Sequence, residues 1–333
     1  MKTTIKSIIV IAAMLLCGSC TKLVYEVPET ITISGHVTDE DGQPVENVGL
    51  SLMCIQSSNL LGFYVGTGIY GSTDANGYYS IEFNPKQGYS YRMDIGKGGY
   101  HDVPSYSVDR WIASQEHNVV LRKNTEYVDL GLPSHLLWAT CNVGATKPEG
   151  LGDYFAWAEI SPKAIYSREN YEHSNEVSNQ LTKYCNNPSY GNNHFIDTLT
   201  VVLPTDDAGW CNCEQGTRIP SKEQWQELHE NTTQTWTTLN GVRGVLFQAD
   251  NGNSIFLPAA GWSYSEEPDE QNTNCSGNYW LNSIDTDCPS YAWSAVINSD
   301  PVVVANGIVS TPRYYGLSIR PVRPYGWPFC PTD

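Results

Sequence analysis

Basic residues are scarce in this sequence, and long apolar helical patterns are scarcer still. Lysine and arginine together number 19, against 36 aspartate and glutamate residues. A nucleic-acid partner is therefore not expected, because binding to phosphates requires an excess of cationic side chains. Gly, Tyr and Trp are abundant instead, at 28, 21 and 10 residues. This composition predicts a mostly β chain with a minor helical part, in which short strands are joined by ordered loops.

The chain also lacks the residue patterns of common hydrolases. Residues 261–265 have no second glycine of a nucleophile elbow, and His229-Glu230 is not followed by a second histidine at zincin spacing. The seven histidines are scattered singly. Because no nucleophile, base and orienting group can be assembled from these residues, the sequence predicts a protein that is not an enzyme and has no cofactor.

The N-terminal segment predicts export. Lys2 and Lys6 precede an apolar run that is too short to cross a bilayer, which is typical of a secretory signal. Gly18-Ser19-Cys20 resembles the lipobox of bacterial lipoproteins, so Cys20 is the expected lipidation site. Cys17 departs from that pattern, and an ordinary secretory signal is the alternative. Without the two signal lysines the chain has 17 basic and 36 acidic residues, so lipid alone would hold it at an anionic membrane.

Eight of the ten cysteines lie beyond this segment. An exported protein can oxidise them, but spacing does not fix their connectivity. Cys275 with Cys288 is the first pair to test. The Cys211-Asn212-Cys213 motif has no histidine or second cysteine pair at ligand spacing, so it does not predict a metal site.

The first half of the chain predicts a β-rich unit. Alternating apolar residues or strand-like composition indicate strands near residues 31–37, 48–53, 78–83, 89–95 and 118–121. Asp39–Gly42 and the similar Asp74-Ala75-Asn76-Gly77 supply turns. The motifs GHVTDEDGQPVENVGLSL and GSTDANGYYSIEF resemble the carboxypeptidase regulatory-like domain. That resemblance implies a transthyretin-like β-sandwich with a spacer or structural role.

The second half predicts one clear helix. Ser221 precedes it as a cap, and Gln224 stands three residues later, as in a capping box. Trp225 and Leu228 would share its buried face. Asn251-Gly252-Asn253 predicts a hairpin turn before an apolar strand.

Five ordered motifs in this half carry a second resemblance. They are EYVDLGLPSHLLWATCNVGATKPEGLGDYFAWAE, RIPSKEQWQEL, NGNSIFLPAAGW, GNYWLNS and YYGLSIRPVRP. Together they resemble the Fibrobacter succinogenes major paralogous domain as Bacteroidetes lipoproteins carry it. The resemblance implies a C-type-lectin-like α+β fold. The related formylglycine-generating enzymes act through late cysteines, but Cys275 and Cys288 do not fit their motif.

Residues 277–322 are the expected scaffold and display region. Period-two alternation places Tyr291, Trp293, Ala295 and Ile297 on a core face and the intervening residues on an outward face. C-type-lectin-like domains commonly bind ligands on this late surface, so the resemblance adds weight to its outward positions. The candidate ligand-binding residues are Asn282, Asp285, Ser294, Val296, Asn298, Asp300, Asn306, Ile308 and Tyr314.

A calcium-dependent lectin site is a weaker hypothesis. The residues Glu267-Pro268-Asp269, followed by Asn282 and Asp285, partly match the loop in which C-type lectins hold calcium. Their oxygen atoms suit a hard cation. However, Asp269 replaces the usual asparagine and Leu281 interrupts the second motif, so an ordinary acidic loop is the alternative.

The sequence thus predicts an exported, non-catalytic lipoprotein of the outer membrane, on either the cell-surface or the periplasmic face. Glycan or protein binding is the expected function, with a structural subunit of a surface assembly and a calcium-dependent lectin as alternatives. The predicted segments are residues 1–19 (signal), 20–30 (anchor and tether), 31–122 (β-sandwich), 126–324 (C-type-lectin-like domain) and 325–333 (tail).

Overall fold

A computed structural model describes residues 27–56, 64–175, 180–264, 273–299 and 307–326. The chain divides into two compact units. Of the described residues, the first unit comprises those up to Gly98 together with Asp102–Leu121, and the second comprises Gly99–His101 and those from Arg122 onward. Among the described residues, strands greatly outnumber helices, which confirms the mostly β prediction. None of the helices in these ranges is long and apolar enough to span a membrane.

The described part of the first unit forms two four-stranded sheets. Its strands are β1 (Ile31–Asp39), β2 (Gly49–Gln56), β3 (Val65–Ser72), β4 (Tyr78–Phe83), β5 (Tyr89–Gly96), β6 (Tyr106–Val108), β7 (Ser114–Glu116) and β8 (Val119–Leu121). One sheet has the order β4-β1-β7, with β8 also paired to β1, and the other has the order β3-β2-β5-β6. Buried and exposed residues alternate along β1, β4 and β5, so each sheet presents one apolar face to a shared interior, as in a sandwich.

The two predicted turns of this unit have the same hydrogen-bonding pattern. Asp39 accepts the backbone N–H groups of Asp41 and Gln43 through one carboxylate oxygen. Asp74 accepts those of Asn76 and Tyr78 in the same way. In each case the side chain satisfies the backbone of a tight reversal, which is why aspartate is favoured at these positions.

In the second unit, the described residues form three three-stranded sheets. Its strands are β9 (Tyr127–Asp129), β10 (Leu136–Ala139), β11 (Thr232–Leu239), β12 (Val242–Ala249), β13 (Ser254–Pro258), β14 (Ser276–Ile284), β15 (Tyr291–Asn298), β16 (Ile308–Pro312) and β17 (Val322–Pro324). The sheets have the orders β17-β10-β9, β11-β12-β13 and β14-β15-β16. Two α-helices, α1 (Ala208–Asn212) and α2 (Lys222–Glu230), and two 3-10 turns at Asn192–His194 and Pro204–Asp206 complete the described elements.

Helix α2 forms as the sequence predicts. The Ser221 hydroxyl accepts the backbone N–H of Gln224, and the Gln224 side chain accepts that of Ser221, which completes the capping box. Trp225 and Leu228 are buried on its inner face. Helix α1 was not predicted, and its N-terminus is capped by the buried Asp207 carboxylate.

Strands β14 and β15 separate two apolar cores of the second unit. Tyr279 and Leu281 belong to one core, with Trp138, Trp225 and helix residue Leu228. Trp280 and Ile284 belong to the other, with Trp157 and Phe155 as further members. Since successive side chains of a strand point to opposite faces, neighbours in sequence enter different cores.

This arrangement contradicts the predicted outward face of β15. Ser294 is fully buried, and its hydroxyl lies 2.7 Å from the Thr311 hydroxyl. Ala292 lies in the second core, whereas Ala295 and Ile297 lie in the first. The predicted core residue Tyr291 is exposed at the start of the strand. The period-two pattern assumed one buried face, but this strand is covered on both.

The structure also separates the cysteines of the candidate disulfide. Cys275 and Cys288 are both unpaired. Cys275 immediately precedes β14, and Cys288 lies in the turn beyond its other end. A nine-residue strand spans roughly 26 Å at its usual rise, whereas a disulfide requires Cα atoms about 6 Å apart. The prediction of this pair is therefore wrong.

Candidate functional site

A buried arginine positions the chain segment that carries the site. Arg313 is 1% exposed, and its Nη1 donates to the carbonyls of Lys183, Tyr184 and Pro289 at 3.1–3.3 Å. Its Cζ atom also lies 4.8 Å from the centre of a Trp157 ring. These contacts fix the backbone directly before Tyr314, where the chain returns to the surface.

Three tyrosines meet at that point. The rings of Tyr264 and Tyr315 are stacked with centroids 4.9 Å apart, and Tyr314 lies 5.9 Å from Tyr264 and 5.2 Å from Tyr315. Tyr264 is 45% exposed, and the other two are half-buried. The Arg168 guanidinium lies 5.3 Å from the centre of the Tyr314 ring. We refer to Arg168, Tyr264, Tyr291, Tyr314 and Tyr315 as the tyrosine surface.

Tyr291 extends this surface towards the turn that follows β14. It is 36% exposed and close enough to influence the pKa of Tyr315, which is raised by burial and by neighbouring tyrosines. Beyond it, Asp285 accepts a hydrogen bond from the Ser310 hydroxyl at 2.6 Å. Tyr190 contacts Cys288 through its hydroxyl, and this hydrogen bond raises the pKa of Tyr190.

A close-packed layer supports the tyrosine surface from below. A Cβ atom at Gly316 would lie 2.7–2.8 Å from atoms of the buried Tyr166 ring, so this position requires glycine. The Tyr166 hydroxyl donates to the backbone carbonyl of Tyr154. Tyr314 itself packs partly against the cluster that contains Tyr166 and Tyr171. The rings are therefore held by the interior and not only by one another.

The predicted ligand-binding residues have different outcomes. Asp285 and Tyr314 lie at or beside the tyrosine surface, as described above. Ser294 is buried and therefore not available to a ligand. Ile308 is half-buried and packs against the first core. Asn282, Val296 and Asn298 are half-buried strand residues. The predictions of Cys20, Glu267, Asp269, Asp300 and Asn306 lie outside the described residues.

The described residues give the calcium hypothesis no cluster of three or more acidic, histidine or cysteine side chains. Asn282 uses its backbone for hydrogen bonds to Val202 and Pro220. The Asp285 carboxylate accepts from Ser310 and from the backbone N–H of Asp287. The Asp285 carboxylate thus has protein partners of its own.

Another group of ionisable side chains is buried near Arg313. His173 lies edge-on to the rings of Tyr171 and Tyr184, and its Nε2 is 2.8 Å from the carbonyl of Ala158. Burial lowers the pKa of His173, so the neutral ring donates to that carbonyl. Burial likewise raises the pKa of the Glu159 carboxyl, although Lys163 lies 2.5 Å from its Oε2. With its nitrogen committed to a carbonyl, His173 acts as a packing residue here.

Sequence reasoning missed most of the tyrosine surface. Arg168, Tyr264 and Tyr315 come from separate loops and share no local pattern. The adjacent Tyr314-Tyr315 pair directly before Gly316 was the available sequence feature.

Comparisons with known proteins do not supply a family. No family model matches the chain, and no curated protein matches it. A shaft pilin spaA from Lactobacillus rhamnosus GG is similar over 30% of this chain and 52% of its own, at 9% identity and a TM-score of 0.24. A 3-chlorocatechol 1,2-dioxygenase from Rhodococcus opacus 1CP is similar over 28% of this chain and 59% of its own, at 16% identity and a TM-score of 0.21.

The chain thus spans less than two thirds of the length of either structure. At these scores neither similarity bears on activity or ligand. The family resemblances of both halves stay predictions.

Proposed function

We propose that this protein is an exported, membrane-anchored and non-catalytic lipoprotein that binds a glycan through the tyrosine surface. The cluster of Tyr264, Tyr314 and Tyr315 supports this most directly. Exposed aromatic rings offer flat apolar faces beside polar hydroxyls. A pyranose ring offers the complementary pattern, since its C–H bonds form an apolar face edged by hydroxyl groups.

The rigidity of the surface supports the same function. Its rings are supported by Tyr166 and by the segment that Arg313 fixes. A ligand would therefore meet rings that are already ordered, and less conformational entropy would be lost on binding. This is an advantage for weakly binding ligands such as single sugars.

The test is a glycan array screened with the chain from Thr21 to Asp333, which omits the lipidated cysteine. Binding to a defined set of glycans, followed by titration calorimetry, is the expected result. Repeating the titration with a chelator distinguishes the calcium-dependent alternative, because chelation would then abolish binding. Absence of binding to every glycan on the array would rule out the proposal.

A structural subunit of a surface assembly is the second candidate, and strand β3 favours it. This strand lies at the edge of its sheet and carries no charged residue in its sequence VGTGIYGS. Val65 and Tyr70 are 57% and 71% exposed. Edge strands without charges readily pair with strands of other molecules. Concentration-dependent self-association in sedimentation, abolished by Tyr70→Lys, would support this function, and a monomer at every concentration would exclude it.

A further inference from the structure

The arginine of the tyrosine surface has N–H donors to spare. Arg168 is exposed, and its one hydrogen bond within the described chain is a long contact of 3.4 Å from Nη2 to the Tyr314 hydroxyl. That contact raises the pKa of Arg168, so the guanidinium stays charged. Within the described ranges, no carboxylate lies within ion-pair distance of it. A cation is thus held beside an aromatic ring with most of its donors directed to solvent.

The adjacent acidic residue is ionised and interacts with this cation, but it lies outside ion-pair distance. Glu169 accepts hydrogen bonds from its own backbone N–H and from the Ser167 side chain, and these bonds lower its pKa. Asp285, beyond Tyr291, is bonded to Ser310. Within the described residues, Arg168 therefore remains a charged group at Tyr314 without an ion-pair partner.

We propose that the tyrosine surface selects glycans that carry a carboxylate, such as hexuronates or sialylated sugars. The sugar ring packs against the tyrosines, and its carboxylate pairs with Arg168. A guanidinium fork matches a planar carboxylate through two parallel hydrogen bonds, which gives both strength and orientation. This inference rests on the proposed glycan-binding function and adds the charge of the ligand.

The spacing of the groups suits such a ligand. In hexuronates and sialic acids the carboxyl group is attached directly to a carbon of the pyranose ring. The carboxylate therefore lies at the edge of any sugar that stacks on an aromatic face. The Arg168 guanidinium lies over the Tyr314 ring, 5.3 Å from its centre. The Tyr264 ring lies 5.9 Å from that of Tyr314, so a sugar that packs against Tyr264 lies next to this cation. An acidic peptide would satisfy the cation but would leave the stacked rings of Tyr264 and Tyr315 without a flat partner.

The test compares acidic sugars with uncharged derivatives of the same sugars. The probes are galacturonate, mannuronate, glucuronate and sialylated oligosaccharides, each paired with its carboxyl methyl ester, and binding is measured by calorimetry with the chain from Thr21. The ester preserves the ring, its stereochemistry and its hydroxyls and removes only the charge. At least one acid should bind about tenfold more tightly than its ester, the size expected for one charge-assisted pair.

Variants assign that preference to a residue. Arg168→Gln should lower the affinity for the acid to that for its ester. The affinity for the ester itself should not change. Arg110→Gln is the matched control, because Arg110 also lies over an exposed aromatic ring, that of Trp111, but in the first unit. This control changes the net charge by the same amount as Arg168→Gln, and it should leave the preference for the acid over its ester unchanged. Unchanged unfolding transitions would show that both variants are folded.

Three results would overturn the inference, and they separate it from the parent proposal. If neutral glycans or esters bind as tightly as acids, glycan binding stands and the selectivity for carboxylates fails. If Arg168→Gln still binds the acid more tightly than the ester by the same factor, a cation other than Arg168 recognises the carboxylate. If no glycan binds but an acidic peptide does, both proposals fail.

Discussion

The Nε atom of Arg313 donates a 2.8 Å hydrogen bond to the phenolic oxygen of Tyr171, and both side chains are buried. The same tyrosine donates to the carbonyl of Trp157. The cation is thus satisfied by a phenol, by backbone carbonyls and by aromatic faces. This network connects three loops of the second unit beneath the tyrosine surface.

Replacing Arg313 should therefore destabilise the second unit strongly. Arg313→Met removes the donors to the carbonyls of Lys183, Tyr184 and Pro289 and leaves them buried without partners. A loss of about 3 kcal/mol in the free energy of unfolding is expected, measured by urea denaturation. Arg243→Met, at an exposed position of β12, is the control. It should change the free energy of unfolding by less than about 0.5 kcal/mol. Equal effects of the two variants would contradict the structural role.

Gly316 should tolerate no side chain. In Gly316→Ala the new methyl group would collide with the Tyr166 ring, and overpacking of this kind costs about 1–3 kcal/mol. The displaced ring should also lower the affinity of the tyrosine surface for its ligand. Gly96→Ala serves as the comparison, since a Cβ atom there meets no atom within 4 Å. Denaturation and calorimetry on both variants measure the two effects, and a fully stable Gly316→Ala would refute the packing argument.

Stability should depend on pH through Asp207. Burial raises the pKa of this carboxyl to about 6, although the backbone N–H groups of Ile219, Trp210 and Gly209 oppose the shift. Because the folded pKa exceeds the unfolded value, the folded chain binds more protons between about pH 4 and pH 6. The contribution of Asp207 to the free energy of unfolding should thus fall as pH rises through this window, by up to roughly 3 kcal/mol.

Asp207→Asn isolates this contribution, because asparagine also caps helices but does not titrate. The difference in unfolding free energy between the natural chain and the variant should change across pH 4–6 and level off above it. A difference that is constant with pH would show that the carboxyl is not the titrating group.

Tyr264 should strengthen glycan binding without being needed for folding. Tyr264→Ala removes the exposed member of the stacked pair, and aromatic contacts of this kind contribute about 0.5–1.5 kcal/mol, so affinity should fall up to about tenfold. Tyr70→Ala, in the first unit, removes a tyrosine that is even more exposed and should leave affinity unchanged. Calorimetry measures the glycan affinity of both variants. Equal losses of affinity in Tyr264→Ala and Tyr70→Ala would indicate a non-specific effect.

Cys275 and Cys288 should remain unlinked even after oxidation of the purified protein. They lie at opposite ends of β14, too far apart for a bond. Peptide mapping by mass spectrometry under non-reducing conditions should recover no peptide in which the two are joined. Its detection would show that the β14 region differs from the arrangement described above.

The elements that the sequence predicts are those with local causes. Strand β1 follows from alternating apolar residues, helix α2 from the Ser221 and Gln224 capping box, and the turns at Asp39 and Asp74 from side chains that bond to their own backbone. The two-sided burial of β15 has no local cause, because alternation shows that a strand has two faces but not what covers them. The tyrosine surface assembles residues more than 140 positions apart, and only the folded chain brings them together.

The strand pair β14-β15 has a consequence for how the second unit unfolds. Tyr279 and Trp280 are consecutive residues, yet each is buried in a different core. Because β14 contributes side chains to both cores, neither core can unfold while the other still holds this strand in place. The two cores should therefore unfold in a single cooperative transition. Amide hydrogens along β14 and β15 should then exchange only through global unfolding of this unit, and they should be its slowest to exchange.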